Sequence, residues 1–209
     1  MSTICGELSD YTYNCNFPEA GGADDEILII PHSRIDRTAG DNGFTRDAAN
    51  PHIIRDIHLK VGQKASVFTG KRNPNAVSSA YTVQDFSSGY THGASLNIYE
   101  LSPATASSIK ALDQEKSMVI LKTNQANSVG NNRYKVAGAN SGLYLAEAPY
   151  NSNENQGVIP VTLAPGGDML EPRPIEFFFD TDSAITAAKY EALKVAAPAP
   201  PVPAPPVIP

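Results

Sequence analysis

The passage from Arg133 to Asp180 constrains this 209-residue chain more than any other, because strand-like runs and turn formers alternate through it without a break. Arg133–Gly138, Gly142–Glu147 and Gly157–Ala164 interleave large apolar side chains with small or polar ones, which places Tyr134 with Val136, and Leu143 with Leu145, on one sheet face each. The last run, Pro174–Asp180, sends Ile175, Phe177 and Phe179 one way and Glu176 and Phe178 the other, so both faces of this strand are expected to meet protein. Such a sheet has to be covered by a second sheet, a helix or another subunit, with Phe177 and Phe179 as its core.

The remaining segments point the same way. Ile27–Ile30 reads as the first strand, with Asp24–Glu26 before it and Pro31 ending it or marking an edge. Asp36–Pro51 is dense in turn formers and reads as a long loop or open hairpin whose backbone is expected either to be solvated and mobile in the monomer or to find its partners in another copy. Strands are expected over His52–Leu59, Ala65–Thr69, Tyr81–Phe86, Ala94–Leu101 (with Leu96, Ile98 and Leu101 inward) and Met118–Leu121. Ser102-Pro103 is a helix start, a cap followed by a proline whose missing N–H costs nothing. Ala104, Ser108, Ile109, Ala111 and Leu112 give that helix its buried stripe, and Asp113–Lys116 ends it. Asp182 or Ser183 caps a second helix, with Ile185, Ala188, Leu193 and Val195 as its apolar face. The predicted organisation is an N-terminal arm over 1–26, a mainly β domain over 27–195 and a Pro/Ala-rich extended tail over 196–209. The tail's composition favours polyproline II, as a solvated spacer or as a ligand for a partner's groove.

Chemistry-bearing patterns are sparse. His32, His52, His58 and His92 are scattered and form no metal or catalytic pair, so a structural role is expected for each. Cys5 and Cys15 lack a second pair for zinc, are expected to be reduced or buried ahead of bridging in an oxidising setting, and with His32 make a poor nucleophile and base. No phosphate-binding loop, dinucleotide fingerprint or nucleophile elbow occurs. Glu147, Glu154, Asp168, Glu171, Glu176, Asp180 and Asp182, with only Arg173 nearby, read as a solvated acidic face ahead of a paired-carboxylate glycosidase site. Lys60, Lys64, Lys71 and Arg72 suit an acidic patch on a neighbouring copy better than nucleic acid, which a net charge of -6 disfavours. No signal peptide and no run of membrane-spanning length is visible, so synthesis in a cytoplasm is expected. No catalytic, cofactor-binding or metal residue is assigned, and an enzyme is not expected.

The sequence resembles the tail-tube (major tail) proteins of tailed phages and prophages of Bacteroidetes bacteria. The resemblance covers most of residues 4 to 195. It rests on Ile4-Cys5-Gly6 with Tyr13-Asn14-Cys15, Ile27–Ile30, the Ser102-Pro103 helix leading into Met118–Leu121, Gly142–Glu147, and Glu171-Pro172-Arg173-Pro174 through Asp182. It implies a β-sandwich or small β-barrel flanked by one or two short helices, assembling as hexameric rings that stack into a tube beside other tail proteins. DNA would pass non-specifically through an acidic lumen, lined by Asp24–Glu26 or Asp168–Glu176. The protein would be made in the bacterial host cytoplasm and end in the virion tail. The Pro-rich end departs from the expected pattern, which leaves two placements for it, inside the tube wall or decorating its outside. The competing reading is a carbohydrate- or ligand-binding β-sandwich module of a virion or cell surface, with Tyr81, Tyr90, Tyr99 and Tyr144 as stacking surfaces; the absence of tryptophan weakens it.

Overall fold

A computed structural model describes residues 23–71, 75–85, 87–124, 132–151, 153 and 157–199. Cys5, Cys15, Arg72, Glu154 and residues 200–209 lie outside that set. The elements in chain order are β1 (Ala23–Pro31), a single 3-10 turn (His32–Arg34), β2 (Phe44–Arg46), β3 (Ile53–Ile57), β4 (Ser66–Thr69), β5 (Ala76–Val83), β6 (Ser88–Ile98), α1 (Pro103–Gln114), β7 (Ser117–Thr123), β8 (Tyr134–Ala137), β9 (Tyr144–Glu147), β10 (Ile159–Ala164), β11 (Glu176–Phe178) and α2 (Ser183–Ala192). They form a mainly β, two-sheet fold flanked by two helices, as the alternation predicts.

The larger sheet runs β2-β3-β11-β8-β7-β1-β4 and the smaller β5-β6-β10-β9. Every pairing is antiparallel except β11 with β3. Two apolar clusters lie on opposite faces of the larger sheet. Ile27 and Ile29 of β1 and Val119 and Leu121 of β7 meet Leu96, Val161 and Leu163 of the smaller sheet, with Leu112 of α1 at the margin. Leu28, Ile30, Met118 and Ile120 face the other way, onto Phe44, Phe178 and the Tyr190 and Leu193 side chains at the end of α2. Covering on both faces explains why Ile27–Ile30 and Met118–Leu121 are unbroken apolar runs.

The helix caps follow the sequence. Ser102 Oγ accepts the Thr105 N–H, Pro103 opens α1, and Asp182 Oδ1 accepts from the Ala184 and Ile185 amides at 2.8 Å each. The buried phase of α2 differs from the expected stripe. Thr186 and Tyr190, with Leu193 just beyond, face the sheet, while Ile185 and Val195 are exposed. One large aromatic ring outweighs two aliphatic side chains in setting the phase, and Tyr190 stacks 4.6 Å from Tyr134.

Other expectations are corrected. The buried pair of the last strand is Glu176 and Phe178, whereas Phe177 and Phe179 are half-buried. β11 sits between β3 and β8, which fixes its facing, and the Phe178 ring meets Tyr134 edge-on at 6.3 Å. Leu101 is exposed because β6 stops at Ile98 and the chain turns toward its helix cap. The loop 36–51 is closed within the chain: β2 pairs with β3, and backbone bonds link Asp36 N–H to His58 O, Gly43 N–H to Ala39 O and Asp47 N–H to Ile53 O. Its backbone therefore needs no second copy.

Candidate functional site

The expected structural role of the histidines is visible at two of them. His32 Nε2 donates to the Gly138 carbonyl at 2.9 Å, the Gly138 N–H donates to His92 Nδ1 at 3.1 Å, and His92 Nε2 donates to Arg173 O at 3.0 Å. Burial holds His32 down at about 4 and lowers His92 as well, with the Glu171 carboxylate pulling His92 the other way. Gly138 has φ +72°, and a Cβ there would lie 2.8 Å from Leu143 Cγ and 3.1 Å from Ser117 O, so this hub admits glycine alone. His58 accepts or donates to Thr45 Oγ1 at 2.8 Å, and His52 lies apart.

The acidic run is not one solvated face. Glu171, 3% exposed, accepts from the Asn140 amide at 3.1 Å, the Ser141 amide at 2.8 Å and the Asn140 side chain at 2.8 Å. Its backbone pairs both ways with Tyr90 of β6, at 2.8 and 2.9 Å. One residue thus ties the turn after β8, in the larger sheet, to the smaller sheet. Glycine at 89 permits that approach, since a Cβ would meet Glu171 O at 2.8 Å. Glu176, 1% exposed, is held by Arg46 and, at 3.5 Å, by Arg173. Burial still raises its carboxyl above the ordinary range, against the pull of Arg46. Asp180 pairs with Lys189 at 2.9 Å and Asp182 caps α2, leaving Glu147 and Asp168 exposed. Both buried carboxylates are committed to internal donors, which suits locking of sheets better than acid–base chemistry on a substrate.

The expected lumen acids are also engaged: Asp24 pairs with Lys122 and Glu26 with Lys194, each at 2.6 Å. The Lys60, Lys64 and Lys71 side chains are exposed, but β4 separates the first two from the third, so they make no single tip. The tyrosines do not converge either. Tyr81 and Tyr90 meet edge-on at 5.5 Å, Tyr99 is beyond the far end of β6 with its hydroxyl on Lys71 O, and Tyr144 lies against Gly166. Among the described residues no group of three or more His, Cys, Asp or Glu side chains is placed to hold a metal. No helix among them is long and apolar enough to cross a membrane.

What stands out is the β5–β6 hairpin. β5 begins at Ala76, five residues before the expected strand, and the hairpin end is closed by Gln84 N–H donating to Ser87 O. It is the edge strand of its sheet, eight residues long, and Ala-Val-Ser-Ser-Ala-Tyr-Thr-Val contains no charge and no proline. Val77, Tyr81 and Val83 share the side that faces the core. Val77 packs there, but Tyr81 and Val83 are 62% and 72% exposed, because the hairpin runs past the sandwich that would cover them. The opposite side of the sheet carries Ala76, Ser78 and Ala80 on β5, Thr91, Gly93, Ser95 and Asn97 on β6, Pro160, Thr162 and Ala164 on β10, and Tyr144 and the exposed Glu147 on β9. No lysine or arginine lies on it. The sequence did carry a signal for this edge, a long uncharged run between Asn75 and Gln84, but the strand was expected later. No protein-family model matches the chain, and no curated protein or solved structure resembles it significantly.

Proposed function

We propose that this chain is a structural virion protein that assembles into stacked rings, hexameric by the resemblance, forming a phage tail tube for DNA passage. The observation that carries the reading is the unprotected β5 edge. Folded proteins usually guard an exposed strand with lysine, proline, a bulge or a covering loop, because its free N–H and C=O groups recruit other chains. Among the described residues β5 has none of these along its eight positions, and Tyr81 and Val83 are largely exposed. Pairing with an edge of the next copy satisfies the backbone and covers both side chains. The other edge of the same sheet, β9, makes that contact head-to-tail, which closes into a ring when the rotation allows.

The cation-free face of this sheet supports the tube reading: its one charged side chain among the described residues of the strands is Glu147, and it offers no cation to retain a phosphate as DNA moves past. Passage then relies on the lack of cations and on Glu147 more than on the acidic lining first expected, since Glu171 and Glu176 are interior. The internal commitment of the buried histidines and carboxylates supports a role without catalysis. Electron microscopy of the purified protein tests the reading: rings or tubes are expected, and a strict monomer at high concentration would overturn it. Ala80→Lys, which places a charge on the edge, should abolish rings while the circular dichroism spectrum stays native.

A further inference from the structure

A groove of about 580 Å³ runs along the outer edge of β4, between that strand and α1. Phe68 and Tyr99 supply aromatic surface, and the Tyr99 ring is fixed by its hydroxyl bond to Lys71 O at 2.8 Å. Ala104, Ser108 and Ala111 form its helical wall, small enough to let a second backbone come close. Of the lining residues only Arg34, Glu100 and Glu115 are charged; Arg34 already donates to Lys64 O and Ser66 Oγ, and Glu115 accepts from the Ser33 amide. An uncharged, extended segment rich in carbonyl acceptors fits such a groove, since a strand edge offers N–H donors and aromatic faces take proline rings.

We propose that this groove seats the C-terminal residues 200–209 of a neighbouring copy of the same chain. Those residues read Pro-Pro-Val-Pro-Ala-Pro-Pro-Val-Ile-Pro, with no charged side chain and at most four backbone N–H donors, a composition that favours polyproline II, in which ten residues would span ~31 Å. The direction of the preceding chain selects the neighbour over the chain's own groove. Ala65 N–H donates to Leu193 O, Ala197 N–H to Gln63 O and Gly62 N–H to Ala197 O. Residues 193–197 therefore run antiparallel to 62–65, and the chain leaves Ala197 heading away from Ser66–Thr69. A stiff proline-rich segment does not double back over a few residues to reach the edge it has just left. The tail becomes a strap between copies, and the inference rests on the self-assembly reading above.

Single-cysteine versions of the full chain, in a Cys5→Ser/Cys15→Ser background, test it. One population carries Ser108→Cys in the groove wall, the other Val207→Cys in the tail; they are mixed, allowed to assemble and oxidised. Covalent dimer at least tenfold above that from Asp113→Cys, an exposed α1 position outside the groove, is the expected result. Yield no higher than the Asp113→Cys control overturns the proposal. So does a monomeric cross-linked product from the double variant Ser108→Cys/Val207→Cys, which places the tail in its own groove, and so does preferential capture of Ser2→Cys, which makes the N-terminal arm the occupant. Electron microscopy of the same samples separates the two readings: tubes without cross-links sink the strap and leave the tube, while cross-links without rings or tubes do the reverse.

Discussion

β7 and β5 are strands of seven and eight residues, and their fates in the fold are opposite. Ser117–Thr123 is held between β1 and β8 with apolar clusters on both faces, so six of its seven residues are buried. Ala76–Val83 pairs with β6 alone, and six of its eight residues are exposed. The first strand holds the subunit together. The second buries little within the subunit and leaves backbone and side chains open along one edge. Stability and assembly are therefore expected to respond to mutations in different places.

The largest effect tests the buried region. Phe178→Ala should cost about 3–5 kcal/mol and leave little soluble protein, whereas Phe177→Ala on the half-buried side should cost clearly less. Chemical denaturation of the pair checks this, and equal losses would show that both faces of β11 are core. The pH dependence is next. His32 has a folded value of about 4 against an ordinary 6.5, so between those values the unfolded chain binds the extra proton and stability falls as pH drops, by up to about 3 kcal/mol. His92 is shifted in the same direction, while the raised Glu176 carboxyl favours the folded state just above pH 4.5 and offsets part of the loss. Melting temperatures from pH 7 down to pH 4.5 should decline, and in His32→Gln the decline should flatten. A wild-type curve without slope would mean that the histidines titrate alike in both states.

Truncation probes the margin between the regions. Ending the chain after Val195 removes the two backbone bonds of Ala197 and should cost about 1–2 kcal/mol, while ending it after Ala199 should leave the melting temperature unchanged. That separates the docked start of the tail from the remainder. The smallest effect on folding belongs to the overhang: Val83→Asp should shift stability by less than about 0.5 kcal/mol and yet prevent ring formation in sedimentation or microscopy. A folded Val83→Asp that assembles as wild type would break the comparison, because the exposed hairpin would then be a passive feature.

The β class, the two helix starts and the unbroken buried strands were legible in the chain. Alternation, Ser102-Pro103 and Asp182 are local signals that need no distant partner to act. The buried nodes were not legible. Glu171 looks like any acid in a polar stretch, and it is interior because the Asn140 and Ser141 amides, some thirty residues earlier, aim at its carboxylate. The glycines flanking Ala139-Asn140-Ser141 were the available hint, and they mark a turn without naming what fills it.

Period-two patterning by itself determined which residues share a face: Glu176 with Phe178, Phe177 with Phe179, Tyr81 with Val83. Tertiary structure decided which of those faces is covered. A strand's two sides are equivalent until a layer is laid on one of them, and burial is a property of that layer as much as of the strand. The same geometry that puts Phe178 under α2 and Tyr134 leaves β5 at the edge of its sheet, so Tyr81 and Val83 share the side of Val77 and yet, among the described residues, stay largely exposed, with Tyr81 meeting only Tyr90 edge-on.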